Sequence, residues 1–223
     1  MILQKIRLQT NHFLPLHHFY KNILALAVTF DNDDHFTIDA GHSKLIFEKS
    51  AYPQIDPLYH FAFNIPSNKI QEAHDWLKER TKLLWIDDYN SYITDFRAWH
   101  ARSVYFLDPG GNIVEFIARD DLKDIINEPF SSTHIRNISE IGFVFPEQGF
   151  KQSVEQLLKD CQLDYFSKQP PQESFCAIGD DEGLLIIIPE NRSWYPCKDK
   201  PAGMFPIEIT FSDQNVVRTI GLS

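Results

Sequence analysis

The sequence predicts an α+β fold assembled from repeated units of one strand, one helix and about three further strands. Two observations carry this. At three places a segment with the two-residue period of a strand runs into one with the 3.6-residue period of a helix. After each helix come short β-branched and aromatic runs, separated by turn residues. The recurrence is too long and too rich in strand for a solenoid.

The first unit opens with KIRLQT, 5–10, in which Ile6, Leu8 and Thr10 share one side. LPLHHFYKNIL, 14–24, places Leu14, Leu16, Phe19, Tyr20, Ile23 and Leu24 at helical spacing. AVTFD at 27–31, HFTIDA at 35–40 and KLIFE at 44–48 are its strands. The second unit starts at HFAFNI, 60–65. Pro66, Ser67 and Asn68 make a helix start, and KIQEAHDWLKER, 69–80, the helix. Strands follow at 84–87 and 93–96, then a hairpin, 102–107 and 113–118, closes around DPGGN. The third unit has EIGFVF, 140–145, as strand and FKQSVEQLLKDC, 150–161, as helix. Strands are expected at 174–178 and 184–188. FPIEITF, 205–211, reads as the first strand of a truncated fourth unit. The charged, Pro- and Ser/Thr-containing stretch 121–139 is the expected linker between a two-unit domain, 1–120, and a third unit with the start of a fourth, 140–223.

Hydrophobic residues at 43% and charged residues at 23% are an ordinary globular balance, so a core is expected. A net charge of −10 without a basic stripe argues against nucleic acid and against an anionic membrane surface. The N-terminus lacks the apolar run of a signal peptide, and no segment is long enough to span a bilayer. Cytoplasm is therefore the expected location. Cys161, Cys176 and Cys197 are too few and too scattered for a metal knuckle or a disulfide framework.

One acid stands out. In NIVEFI, Glu115 shares its side of the strand with Ile113 and Ile117, so it should point into an enclosed space. A buried carboxylate without a partner is costly, and a metal or a cationic side chain would answer it. Turn chemistry explains DPGGN but does not explain Glu115. In HFAFNI, His60, Ala62 and Asn64 share the side suited to a cavity, whereas Phe61, Phe63 and Ile65 should pack on helices.

KIRLQTNHFLPLHHFYKNIL, HFAFNIP and above all VYFLDPGGNIVEF resemble the vicinal oxygen chelate superfamily, the glyoxalase, bleomycin-resistance and extradiol-dioxygenase group. The resemblance covers 1–119 well and 134–223 only in the order of elements. It implies paired βαβββ modules curled into a half-open mixed-sheet barrel, here with a third, unpaired module. It also implies a divalent metal held by residues of first and last strands, chelating two adjacent oxygens of a small-molecule substrate. Carried over residue by residue, His60 and Glu115 match ligand positions, Glu115 being also the expected catalytic base, and Glu48 lies near a third. The position matching His60 in the first module is Lys5, which has no lone pair for a metal while protonated. The remaining N/O set suits Mn²⁺, Fe²⁺, Ni²⁺, Zn²⁺ or Mg²⁺ alike.

Two readings stay open. In one the chain is a glyoxalase- or dioxygenase-like metalloenzyme. In the other Lys5 pairs with Glu115 or Glu48 in the metal's place, no cofactor is needed, and the barrel sequesters a flat molecule between Tyr105, Phe61 and Trp99. Tyr105 and Ser103 would line the pocket, and Arg7 with Lys5 would meet an anionic substrate group. Unit three has no acid at the position of Glu115, so no metal is expected there. RSWYPCKDKPAG, 192–203, is expected to form a lid or a dimer contact. The lone third module would cover its apolar face on the first domain or on a second chain, as in a homodimer.

Overall fold

The computed structural model describes residues 1–30 and 32–222; Asp31, the end of the expected AVTFD strand, and Ser223 lie outside the described residues. The fold is α+β and built from βαβββ modules, as the sequence predicts. The first comprises β1 (Ile2–Thr10), α1 (Phe13–His18) continued by a π-turn (Phe19–Ile23), β2 (Ala27–Phe30), β3 (His35–Ala40) and β4 (Ser43–Lys49). The second comprises β5 (His60–Ile65), α2 (Ile70–Lys78), β6 (Ile93–Phe96), β7 (Ala101–Leu107) and β8 (Ile113–Arg119). The third comprises β9 (Asn137–Phe145), α3 (Phe150–Cys161), β10 (Cys176–Asp180) and β11 (Gly183–Pro189). β12 (Ile207–Asp213) and β13 (Val216–Leu222) form a closing hairpin. Of residues 84–87, expected as a strand, Ile86 makes an isolated bridge to Ser91 and Asp87 begins a 3-10 turn.

Within each module the first strand runs parallel to the last: β1 with β4, β5 with β8, and β9 with β11. Between modules the pairing departs from sequence order. β5 pairs antiparallel with β9, and β1 pairs antiparallel with β12. The third module is therefore not unpaired; it stands against the second, and the first stands against the closing hairpin. The physical reason lies in burial. β1 alternates buried and half-exposed residues, whereas every residue of β5 and eight of the nine in β9 are buried. β5 and β9 are covered on both faces, as strands that join two modules are.

The helix-facing side of the sheet holds the main core, where Phe61, Phe63, Phe106 and Phe116 are fully buried. Phe61 thus belongs to the core and not to a cavity wall. α2 contributes Ile70, Ala73 and Leu77, which share one face at helical spacing.

The DPGGN turn links this core to the other face. Gly110 and Asn112 amides donate to Asp108 Oδ1 at 2.9 and 3.0 Å. The Tyr20 hydroxyl and Asn112 Nδ2 donate to its Oδ2 at 2.8 and 2.9 Å. Burial pushes the Asp108 carboxyl up to about 6 against those donors. Gly111 takes a φ of +80°, which glycine adopts without strain. Asn112 Oδ1 in turn accepts from the Tyr59 amide at 2.9 Å, fixing the chain just before His60.

Candidate metal centre

His60 is the first residue of β5, and β8 lies beside it. Its Nδ1 lies 3.1 Å from the Ile113 carbonyl. A carbonyl only accepts, so Nδ1 carries the hydrogen, and in the neutral ring Nε2 carries the lone pair. Nε2 faces Glu115 Oε2 at 3.6 Å and Glu140 Oε2 at 3.9 Å. All three side chains are buried, and one donor atom from each falls within 4.8 Å of the others. Donors that share a divalent ion at about 2.0–2.2 Å stand roughly 3–3.5 Å apart, so this set is slightly open.

Glu115 is 1% exposed, and its Oε1 has no hydrogen-bond partner. Burial pushes its carboxyl up to about 7, and the Glu140 charge adds to this; His60, Ser103 and Arg119 oppose it. For His60, burial disfavours the charged ring, but Glu140 and Glu115 outweigh it and the net shift is upward. Across the hairpin from Glu115 is Tyr105, whose hydroxyl is held well above its ordinary range by burial and by the two carboxylates.

Glu140 sits on β9, and its second oxygen is taken by Arg119 Nη2. Arg119, the last residue of β8, is fully buried. Its Nε donates to Ser139 Oγ at 3.1 Å and its Nη1 reaches Asp181 at 3.4 Å. The guanidinium thereby turns Glu140 Oε2 toward His60. An orphaned buried carboxylate oxygen, a free imidazole lone pair and an oriented second carboxylate are donors that fit a divalent cation. His60, Glu115 and Glu140 would hold it.

The sequence reading missed Glu140 and expected no metal in the third unit. The signal was present: Glu140 lies ten residues before the start of α3, as His60 lies ten before α2. Because β9 stands beside β5, Glu140 of the third unit meets His60 and Glu115 of the second. The acid missing from unit three is real, since Ile186 stands opposite Gly142 where Glu115 stands opposite Ala62.

The other expected residues fall elsewhere. Lys5 pairs with Glu208 at 3.5 Å, and Arg7 contacts Glu48 and, at 3.8 Å, Glu208. Lys5 therefore does not reach Glu115, and Glu48 does not join His60. Register explains this: Arg7 opposes Glu208 on β12 as Ala62 opposes Glu140 on β9. Lys5 and Glu208 thus occupy in one half the places of His60 and Glu140 in the other, and the charges there neutralise one another. Arg7 and Lys5 lie apart from the cavity of the His60 cluster. Ser103 is fully buried beside Glu115 and does not line that cavity.

The cavity itself measures about 280 Å³, and His60, Glu115 and Glu140 lie on its wall with Tyr105 and Trp99. The loop after β11 covers it. Trp194, 3% exposed, lies 5.5 Å from the His60 ring, centre to centre. The indole rests on Gly142, where a Cβ would come within 2.4 Å of it. Tyr195 stands over Tyr105 at 5.7 Å. This is the loop expected to form a lid or a dimer contact.

No family profile matches the sequence, and no curated protein matches it. Solved structures do. A putative dioxygenase from Bacillus subtilis superposes with a TM-score of 0.57 at 15% identity, over 84% of this chain and 63% of that one. A glyoxalase I mutant from Zea mays superposes with a TM-score of 0.54 at 12% identity, over 92% of this chain and 73% of that one. The chain thus spans less than two thirds of the Bacillus protein. At such identities the likeness establishes the fold.

Proposed function

We propose, for a chain that has the fold of the vicinal oxygen chelate superfamily, a metal-assisted conversion of a small molecule bearing two adjacent oxygens. The lyase, isomerase, transferase or dioxygenase outcome depends on that molecule. The observation that carries the reading is the convergence of His60 Nε2, the buried Glu115 carboxylate and Glu140 Oε2 on the wall of an aromatic cavity. His60, Glu115 and Glu140 would hold a divalent ion, which would supply Lewis acidity to the substrate. Ile113 keeps the His60 ring in place through Nδ1, and Arg119 does the same for Glu140. The Glu115 carboxyl stands near 7 in the metal-free protein; a bound ion would favour its ionised form, which is the form that accepts a proton. The Tyr105 hydroxyl stays protonated and is the donor opposite it. Trp194 and Tyr195 exclude water from above.

A second reading, a metal-free binding module, is favoured by one observation. Glu140 and Glu115 favour the protonated His60 ring, and in that form His60 and Arg119 would balance the two carboxylates without an ion. Thermal melting separates the two. A single site at a hundredfold excess of ion over its Kd adds about 2.7 kcal/mol. In a chain of this size that raises Tm by about 5–10 °C. The rise is expected with at least one of Mn²⁺, Fe²⁺, Ni²⁺, Zn²⁺ and Mg²⁺ and not in Glu140→Gln. Unchanged melting with all five supports the metal-free module.

A further inference from the structure

Arg192 lies on the loop after β11 and lines the same cavity as His60, Glu115 and Glu140. Its Nη1 donates to the Ser174 carbonyl and, at 3.2 Å, to Ser174 Oγ. Its guanidinium sits over the Phe175 ring, 5.4 Å from the centre. Arg7, Arg80, Arg97, Arg102, Arg119 and Arg136 each have a carboxylate partner. Arg192 has none among the described residues, and neither has Arg218, which donates to Gln162 away from the cavity. Arg192 is also the one permanently positive side chain on the cavity wall, since Arg119 lies behind Glu140. Burial alone draws its pKa down, as expected of a cation without a counter-charge.

The guanidinium is therefore braced by Ser174 and Phe175, with Nε and Nη2 left for a fork-shaped contact. Around it the wall is flat and apolar: Phe96, Trp99, Phe175, Trp194 and Tyr195. Such faces favour a planar ring. The two carboxylates on the same wall would repel an anion placed against them unless an ion intervened.

We infer that the cavity takes a planar aromatic acid, whose carboxylate is read by Arg192 while its far edge presents oxygens to the His60, Glu115 and Glu140 cluster. The far-edge contact rests on the proposed metal reading; the Arg192 contact does not. Quenching of tryptophan fluorescence, with Trp99 and Trp194 on the wall, reports binding of three probes: benzoate, catechol and 3,4-dihydroxybenzoate. To protein loaded with the ion that raises its Tm, 3,4-dihydroxybenzoate should bind about ten- to a hundredfold more tightly than catechol, the worth of one charge-assisted contact. Arg192→Gln should erase that advantage and leave catechol unchanged, and Arg192→Lys should restore part of it. Benzoate, which lacks adjacent oxygens, should bind chelator-treated wild type and not chelator-treated Arg192→Gln.

If benzoate needs Arg192 but no metal improves catechol binding, the metal reading fails and the Arg192 site stands. If metal improves catechol binding but the acid gains nothing over it, or keeps its gain in Arg192→Gln, the inference is overturned. Matching Tm values for wild type and the Arg192 variants exclude a folding defect as the cause.

Discussion

Replacing Arg119 by methionine is expected to lower the stability of the metal-free protein by about 3–5 kcal/mol. Arg119 is fully buried and answers Glu140, which is 4% exposed, with Asp181 and Ser139 at its other nitrogens. Methionine fills similar space but carries no charge. Glu140 then faces Glu115 with His60 as the sole remaining cation of the cluster. Urea denaturation in the presence of chelator measures the loss. Addition of a divalent ion should recover more stability in the variant than in wild type, because it supplies the missing positive charge. A loss below about 1 kcal/mol would show that Arg119 does not hold the cluster together.

The second large effect depends on pH. In the metal-free fold the Glu115 carboxyl titrates near 7, against an ordinary value of 4.5. Between those values the folded protein retains a proton that the unfolded chain has released. The Glu115 contribution is therefore fully present below about pH 4.5 and is lost as pH rises through about 7, by on the order of 3 kcal/mol. His60, raised in the fold, contributes in the same direction. Metal affinity runs the other way, since an ion binds the ionised carboxylates and grows tighter as pH rises through the same window. Glu115→Gln should thus make the metal-free protein more stable than wild type at pH 8 while removing stabilisation by metal. Urea midpoints from pH 5 to 8.5, with and without chelator, compare the two proteins. A variant that loses stability with rising pH as steeply as wild type would contradict the assignment.

Much of this was legible in the sequence. Strand and helix periods placed α2 and α3 within a few residues. The parity of NIVEFI put Glu115 inward, and that of HFAFNI put His60 on the same face of the sheet. The module partnership was not legible in the order of elements, because a repeat does not say which copies adjoin. The burial of both faces of β5 and β9 decides it, and burial by a neighbouring module is a tertiary property. Glu48, Arg7 and Lys5 lie apart from the His60 cluster because that cluster forms between the second and third modules. They form a set like that around His60, but in the other half of the sheet, where two cations are already supplied by the chain. Arg119 and Arg192 could not be ranked from sequence, because burial and the partner of a guanidinium are tertiary properties.

The most direct measurement is the divalent-ion content of protein purified without chelator, by elemental analysis, across a short series of variants. Wild type should carry about one ion per chain. His60→Ala, Glu115→Gln and Glu140→Gln should each carry nearly none, while Glu48→Gln and Lys5→Met should match wild type. An ion content that survives Glu140→Gln but falls in Glu48→Gln, or a wild-type chain that binds no ion even after reconstitution, would contradict a metal centre between the second and third modules.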